Sequence, residues 1–238
     1  MEIMNRNKQD LSLAKLTQSH LSRRKFLRFS GMMGTTVVAV GAMTGLTGCD
    51  KDDDVDGNGI NLGSGDVGIL NYAYALEQLE AAFYTQVIAS QYAGITAAET
   101  SYLTDIRDHE IAHREFFKTA LTTNAIQALE VDFSSINFGS RASVLGTAKA
   151  FEDLGVSAYN GAGKLLTDVN NLLVAGKIVS VEARHAALIR ELITPNSFAA
   201  SDVVNGSGFD VARTPSEVLS IAGTYLKSKL NASNLPTS

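Results

Sequence analysis

The chain has 238 residues, of which 45% are hydrophobic, and it carries 20 Lys and Arg against 25 Asp and Glu. This length and composition can bury a core, which excludes an intrinsically disordered protein. A single cysteine excludes a disulfide framework. The net charge of −5 argues against binding through a broad basic face, so we expect no nucleic-acid partner.

Residues 1–48 differ from the rest of the chain in charge. They hold seven basic and two acidic residues, whereas residues 49–238 carry a net charge of −10. Arg23 and Arg24 precede a weakly apolar stretch over residues 29–48, a layout typical of a secretion signal. The run Ser-Arg-Arg-Lys-Phe-Leu resembles a twin-arginine export signal, which implies the twin-arginine export machinery as a partner. An uncleaved membrane helix is the alternative, but five glycines and four threonines suit a membrane span poorly.

The only cysteine ends this stretch. Cys49 follows Leu-Thr-Gly, and the four residues together resemble a bacterial lipobox. The resemblance implies that Cys49 is lipidated, becomes the first residue of the mature protein and anchors it to a membrane of the cell envelope, facing the periplasm or the cell surface. A free thiol is the alternative. Residues 49–66 are acidic and rich in Gly and Asn, and we expect them to form a solvated tether.

The remaining residues, 67–238, predict an all-α domain. Apolar residues at steps of three and four predict helices over residues 67–90, 96–121, 140–164, 167–192 and 214–230. Asp66 is the expected N-cap of the first helix. Because the connection over residues 123–139 is longer than the others, we expect a four-helix bundle with one long crossover and an extra C-terminal helix.

An internal repeat relates the two halves of this domain. Residues 75–84 align with residues 150–159 without gaps, which pairs Glu with Glu and Tyr with Tyr. A Glu-x-x-His motif in the second helix likewise matches one in the fourth. Two helix–turn–helix copies that pack about a pseudo-two-fold axis would bring their repeated polar side chains to one midline.

Six of these repeated side chains have the chemistry of metal ligands. In Glu-x-x-His the two side chains lie one turn apart on the same helix face, so both can reach one site. Four carboxylates and two imidazoles suit two iron or manganese ions better than zinc or copper. The four negative charges also neutralise two divalent cations. The candidate ligands are Glu77, Glu110, His113, Glu152, Glu182 and His185.

The order Glu, Glu-x-x-His, Glu, Glu-x-x-His resembles the ferritin-like superfamily. The residues around the motifs, 76–84 and 152–159, are similar to its bacterial branch, which includes desiccation-related proteins. The resemblance implies a ferritin-like four-helix bundle with two ions per chain, iron or alternatively manganese. The roles that it implies are as follows: Glu110 and Glu182 bridge the ions, His113 and His185 bind one ion each, Glu77 and Glu152 are terminal ligands, and Tyr84 and Tyr159 are hydrogen-bond partners of the ligands.

Other polar residues near the motifs have less specific interpretations. Glu80 lies one turn from Glu77 and could supply an extra oxygen, but its repeat partner is Gly155, so we favour a structural ion pair or a surface position. His109 is rotated by about 100° from its neighbour Glu110 and is expected to point away from the site.

Two arginines lie near the motifs, and three tyrosines lie within the predicted helices. Arg107 and Arg184 are near enough to pair with ligand carboxylates. Tyr72, Tyr74 and Tyr102 are expected to serve ordinary packing.

The ferritin-like resemblance implies two alternative functions. The first is a redox centre that oxidises Fe(II) or reduces dioxygen or peroxide in stress defence. The second is a non-catalytic stress- or desiccation-protective module in which the metal site is structural or vestigial. Both need the same six ligands, so the sequence leaves the choice open, and it also leaves open whether the protein forms a homodimer.

Overall fold

The computed structural model describes residues 59–237, and five α-helices dominate this part of the chain. The helices are α1 (Gly65–Ala89), α2 (Ala97–Leu121), α3 (Arg141–Ala162), α4 (Val169–Ile193) and α5 (Pro215–Ala222). Short 3-10 turns over Thr122–Asn124, Gly163–Leu165 and Gly223–Tyr225 extend three of them. The predicted all-α helical bundle is confirmed. Arg23, Arg24, Cys49 and the export signal lie outside the described residues.

The long helices pack as two hairpins, and polar caps set where they begin. Helix α1 packs chiefly on α2, and α3 packs chiefly on α4, as the repeat predicts. Thr96 and Glu99 form a capping box at the start of α2, while Ser140 and Asp168 cap α3 and α4 with their side chains. Each cap satisfies backbone N–H groups that a helix leaves unpaired at its first turn.

The start of α1 differs from the prediction. The N-cap is Ser64, and Asp66 lies in the first turn of α1. The Asp66 carboxylate instead accepts hydrogen bonds from the backbone N–H groups of Thr167 and Asp168 and from the side chains of Thr167 and Asn171. These bonds, the Thr167 backbone bond foremost, hold the pKa of Asp66 below its ordinary value. Asp66 therefore ties the start of the first hairpin to the start of α4.

The predicted tether and the predicted last helix both extend into residues that the structure places in a two-stranded parallel sheet. Strand β1 (Ile60–Asn61) pairs with β2 (Leu230–Asn231), and the following residue, Leu62, is fully buried. Gly59 has a φ of +94°, and a Cβ there would lie 2.6 Å from the carbonyl oxygen of Lys229. The sequence predicts a solvated tether up to residue 66, but residues 60–62 pack into the domain. The composition cannot reveal this because the pairing partner lies at the other end of the chain.

The long crossover runs along α1 and closes the core on that side. Asn71 accepts a hydrogen bond from the Ile126 N–H at 3.0 Å, and Gln78 accepts one from Leu129 at 2.9 Å. The ring of Phe83 packs against three other phenylalanine rings, two of them from the crossover: Phe133, Phe138 and Phe151. Across residues 59–237, none of the helices combines the length and apolar character that a membrane span requires.

Candidate metal centre

The four long helices each direct acidic or imidazole side chains into the middle of the bundle. Glu77 of α1, Glu110 of α2, Glu152 of α3 and Glu182 of α4 are completely buried. His185 is 4% exposed, and His113 is partly buried. The structure thus brings all six predicted candidates together on the inward faces of the four long helices.

The six side chains form two overlapping groups that could each hold a metal ion. In the first group, one ligand atom from each of Glu77, Glu110, His113 and Glu182 lies within 4.8 Å of the others. The second group has the same geometry and consists of Glu110, Glu152, Glu182 and His185. Glu110 and Glu182 belong to both groups, which is the position that a bridging carboxylate occupies.

The imidazoles approach the carboxylates through the same ring nitrogen in both groups. Nδ1 of His113 lies 2.9 Å from Oε1 of Glu182 and 3.4 Å from Oε2 of Glu77. Nδ1 of His185 lies 2.8 Å from Oε1 of Glu110 and 3.5 Å from Oε2 of Glu152. Each histidine is therefore closest to the shared glutamate of the opposite hairpin, as expected for two copies related by a two-fold axis.

Eight buried atoms of this cluster lack a hydrogen bond. They are Oε2 of Glu77, both carboxylate oxygens of Glu110 and Glu182, Oε2 of Glu152 and Nδ1 of both histidines. Some lie less than 3 Å apart, but they face the space that they share and do not meet along hydrogen-bond directions. Buried polar atoms without a partner are costly, and buried carboxylates especially so. Converging oxygen and nitrogen atoms of this kind fit cations placed between them.

Burial strongly perturbs the protonation of the carboxylates. It raises the pKa of Glu110 well above its ordinary value, and the nearby charge of Glu182 adds to this effect. Burial also raises the pKa of Glu152, to about 7, although contact with His185 opposes the shift. For Glu182, burial acts in the same direction, but the two neighbouring imidazoles outweigh it and lower the pKa to about 2.

The pKa values of both imidazoles are raised, whereas burial by itself lowers the pKa of a histidine. Burial lowers the pKa of His113, but its contacts with the glutamates outweigh burial and raise the pKa above the ordinary value. His185 behaves in the same way. Protons would therefore compete with a metal ion for Nδ1 of both histidines.

Two tyrosines connect the halves of the cluster. The hydroxyl of Tyr84 donates a hydrogen bond of 2.5 Å to Oε1 of Glu152, and the hydroxyl of Tyr159 donates one to Oε1 of Glu77. Both tyrosines are therefore hydrogen-bond partners of candidate ligands. Each tyrosine bonds to the glutamate of the other repeat, which sequence spacing alone does not determine.

A family model described as a ferritin-like domain matches residues 65–195. The chain belongs to the ferritin-like family. The match spans α1 to α4 and includes all six candidate ligands. No curated protein sequence matches the chain significantly.

The prediction that Glu80 forms a structural ion pair or lies at the surface is wrong. Its side chain is 4% exposed and lies among the cluster carboxylates. Burial, followed by the charges of Glu182 and Glu110, raises its pKa well above the ordinary value. A Cβ at Gly155 would lie 3.1 Å from Oε1 of Glu80, so the missing side chain at Gly155 provides the room for this fifth carboxylate. The alignment of Glu80 with Gly155 across the repeat was the one sequence feature that could have indicated a buried Glu80.

His109 also differs from its prediction, because it does not point away from the site. Its Nδ1 lies 2.9 Å from Nε2 of His185. A rotation of about 100° turns His109 away from the carboxylates but toward α4, where the outer edge of the His185 ring meets it. The predicted rotation of His109 relative to Glu110 was correct, but this rotation does not determine where the neighbouring helix α4 lies.

The arginines and the remaining tyrosines serve other contacts. Arg107 pairs with Asp108 at 2.7 Å, and Arg184 donates a hydrogen bond to the carbonyl oxygen of Ser180. Within residues 59–237, neither arginine forms an ion pair with a candidate ligand. Tyr72 and Tyr74 are buried in the core, as predicted, whereas Tyr102 is 41% exposed.

Proposed function

We propose that this ferritin-like protein binds two iron ions, or alternatively two manganese ions, and uses them to oxidise Fe(II) or to reduce dioxygen or peroxide. The observation that carries the proposal is the set of eight buried, inward-facing oxygen and nitrogen atoms without hydrogen bonds. Two cations would satisfy these atoms at once, and four of the carboxylates would balance four positive charges.

The two overlapping groups suggest how the ions would be held. Glu110 and Glu182 would bridge them, because both belong to each group. Glu77 and His113 would complete one position, and Glu152 and His185 the other. Bound in this way, the ions would supply a binding place for the oxidant and the electrons that reduce it.

The surrounding side chains would orient the ligands and keep water away. Tyr84 and Tyr159 each hold one oxygen of a terminal glutamate, which leaves the other oxygen free to face the ions. Such outer hydrogen bonds fix the orientation of ligating groups and tune the metal. The complete burial of all four glutamates excludes bulk solvent from the centre.

A small apolar cavity that would admit dioxygen adjoins Tyr159. It has a volume of about 40 Å³, and its lining includes Ala73, Leu76, Phe117 and Tyr159. A water molecule needs only about 10–15 Å³, so the cavity has room for roughly two or three heavy atoms. Tyr159 lines the cavity and also bonds to Glu77, which links the cavity to the cluster.

Metal content and oxygen consumption of the full chain test this proposal. The wild type should bind two ions and consume dioxygen or peroxide with Fe(II), whereas Glu110→Ala should lose both metal and turnover. Glu115→Ala, at an exposed position of the same helix, is the matched control and should retain both. Two bound ions without turnover would favour the non-catalytic protective module. A folded wild-type protein that binds no metal would overturn the redox function and any structural role of the metal, and would leave only a protective module with a vestigial site.

We also propose that the protein is exported and anchored to the cell envelope. The support is the sequence alone: Arg23 and Arg24 in a twin-arginine pattern, and Cys49 at the end of the apolar stretch. The partners would be the export machinery and a membrane that holds the acyl chains. The twin-arginine route carries folded proteins, which suits a protein that acquires its metal before export.

A further inference from the structure

The two candidate histidine ligands differ in what their outer ring edges meet. His185 turns Nδ1 toward the carboxylates, and its Nε2 lies 2.9 Å from Nδ1 of His109. The ring centroids are 5.2 Å apart, and the ring planes differ by 8°. The distance between the ring centroids is much longer than the distance between the two nitrogens. Both nitrogens therefore lie between the ring centres. The rings therefore meet edge to edge in nearly one plane, which is the direction of a hydrogen bond.

The positions of the protons follow from this geometry once a cation is bound to Nδ1 of His185. A cation on Nδ1 of His185 leaves the proton of the neutral imidazole on Nε2. That N–H then donates to Nδ1 of His109, which has to be unprotonated, so His109 carries its own proton on Nε2. His185 is buried, whereas His109 is exposed. The contact therefore fixes the tautomer and the ring orientation of a buried ligand from the protein surface.

The internal repeat makes this contact one-sided. The repeat alignment that relates His113 to His185 also relates His109 to Val181. The two-fold equivalent of the contact between His109 and His185 would therefore join Val181 and His113. A valine side chain cannot accept a hydrogen bond. The candidate ligands are therefore present in both repeats, but within residues 59–237 only His185 has a histidine at its outer ring edge.

We propose that His109 is a positioning residue for His185, and that it makes the metal position of Glu152 and His185 the tighter of the two. The inference rests on the proposed metal binding. Outer partners that hold a ligating histidine typically contribute about 10- to 100-fold to metal affinity. The two positions would thus fill in order although their ligand sets are the same.

Titration of the full chain with Co²⁺ tests the inference through binding and not through activity. The wild type should show two unequal sites. His109→Phe keeps a ring but removes the acceptor, and it should weaken only the tighter site, by about 10- to 100-fold. His109→Asn places an amide oxygen near the former Nδ1 and should restore most of the affinity. Val181→Ala, at the repeat-equivalent position, is the matched control and should leave the difference between the sites unchanged.

Nitrogen-15 NMR of the Zn²⁺-loaded chain gives a second readout that a purely structural role would not produce. His109 should carry its proton on Nε2, with Nδ1 unprotonated, and His185 should be protonated on Nε2. A proton on Nδ1 of His109 would overturn the inference. So would equal Co²⁺ affinities of the wild type and His109→Phe, or a parallel loss at both sites in a variant with wild-type circular dichroism. A folded wild type that binds no metal would instead overturn the proposed function.

Discussion

The hydroxyl of Tyr84 donates a hydrogen bond to Glu152 across the bundle, over a distance of 2.5 Å. The two residues belong to different repeats, and the reciprocal bond joins Tyr159 to Glu77. Each half of the chain therefore orients a glutamate of the other half. The cluster is complete only when both hairpins are docked, so its formation is coupled to the packing of the bundle.

Loss of this bond should destabilise the bundle and weaken metal binding. We expect Tyr84→Phe to lower the free energy of unfolding by about 1.5–3 kcal/mol, because it removes a hydrogen bond to a buried charged group. Denaturant unfolding of the metal-free chain measures this change, and a metal titration measures the affinity. Tyr102→Phe, at a 41% exposed position, is the control and should change neither. Unchanged stability in Tyr84→Phe would show that Glu152 does not depend on this donor.

A methyl group added at Gly155 should press on the buried carboxylate of Glu80. A Cβ there would lie 3.1 Å from Oε1 of Glu80, so we expect this contact to offset the helix-propensity gain and to make Gly155→Ala less stable than Gly146→Ala by about 1–3 kcal/mol. Gly146 lies in the same helix with no atom within 4 Å of an added Cβ, and Gly146→Ala should stabilise by about 0.5–1 kcal/mol.

Removal of the Glu80 side chain should relieve the overpacking at Gly155. In a double-mutant cycle, Gly155→Ala should cost less in the presence of Glu80→Ala, because the two positions are in contact. Thermal unfolding of the four proteins measures the coupling. Strictly additive effects would contradict the contact between Glu80 and Gly155.

Acidification should affect the metal-free and metal-loaded proteins in opposite directions. The folded-state pKa of Glu152, about 7, lies above its ordinary value of 4.5. A group with a raised pKa contributes stability that is fully present below the ordinary value and is lost as the pH rises through the folded-state value. The metal-free chain should therefore become more stable as the pH falls from 8 to 5, and the raised pKa values of Glu110 and Glu80 act in the same direction.

The metal-loaded protein should lose stability over the same range, because protons compete with the ions for the ligands. Calorimetric melting temperatures between pH 5 and 8, with a chelator and with bound Mn²⁺, measure both trends. A metal-free protein that melts at the same temperature throughout would contradict the pKa shifts.

The proposed export and anchoring give separable effects in a bacterium that has the twin-arginine system. Arg23→Lys combined with Arg24→Lys should block export, and the protein should stay in the cytoplasm. Cys49→Ser should abolish incorporation of labelled palmitate and release exported protein from the membrane fraction. Cell fractionation and palmitate labelling measure the two effects. Normal export of the double arginine variant would overturn the proposed route.

The candidate ligands could be found in the sequence because their signal is local. Glu110 and His113 are one turn apart on one helix, and Glu182 and His185 repeat the motif on another. The repeat alignment also pairs Tyr84 with Tyr159, but their role as hydrogen-bond partners of the ligands was an implication of the ferritin-like resemblance. The ends of the four long helices were predicted to within two residues for the same reason: caps and apolar periodicity are short-range features.

Residues whose role depends on a neighbouring helix could not be assigned in this way. Glu80 is a buried fifth carboxylate only because Gly155, on another helix, leaves space for it. Asp66 caps no helix of its own but holds the start of α4, and β1 finds its partner strand at the far end of the chain.

The sequence by itself determined the helices, the repeat and the six side chains that converge, because each of these depends on the 3.6-residue period within single helices. The tertiary structure alone decided which side chains meet across the bundle, since this depends on the rotation and offset of one helix against the next. That rotation turns His109, one residue before a candidate ligand, onto the outer edge of His185.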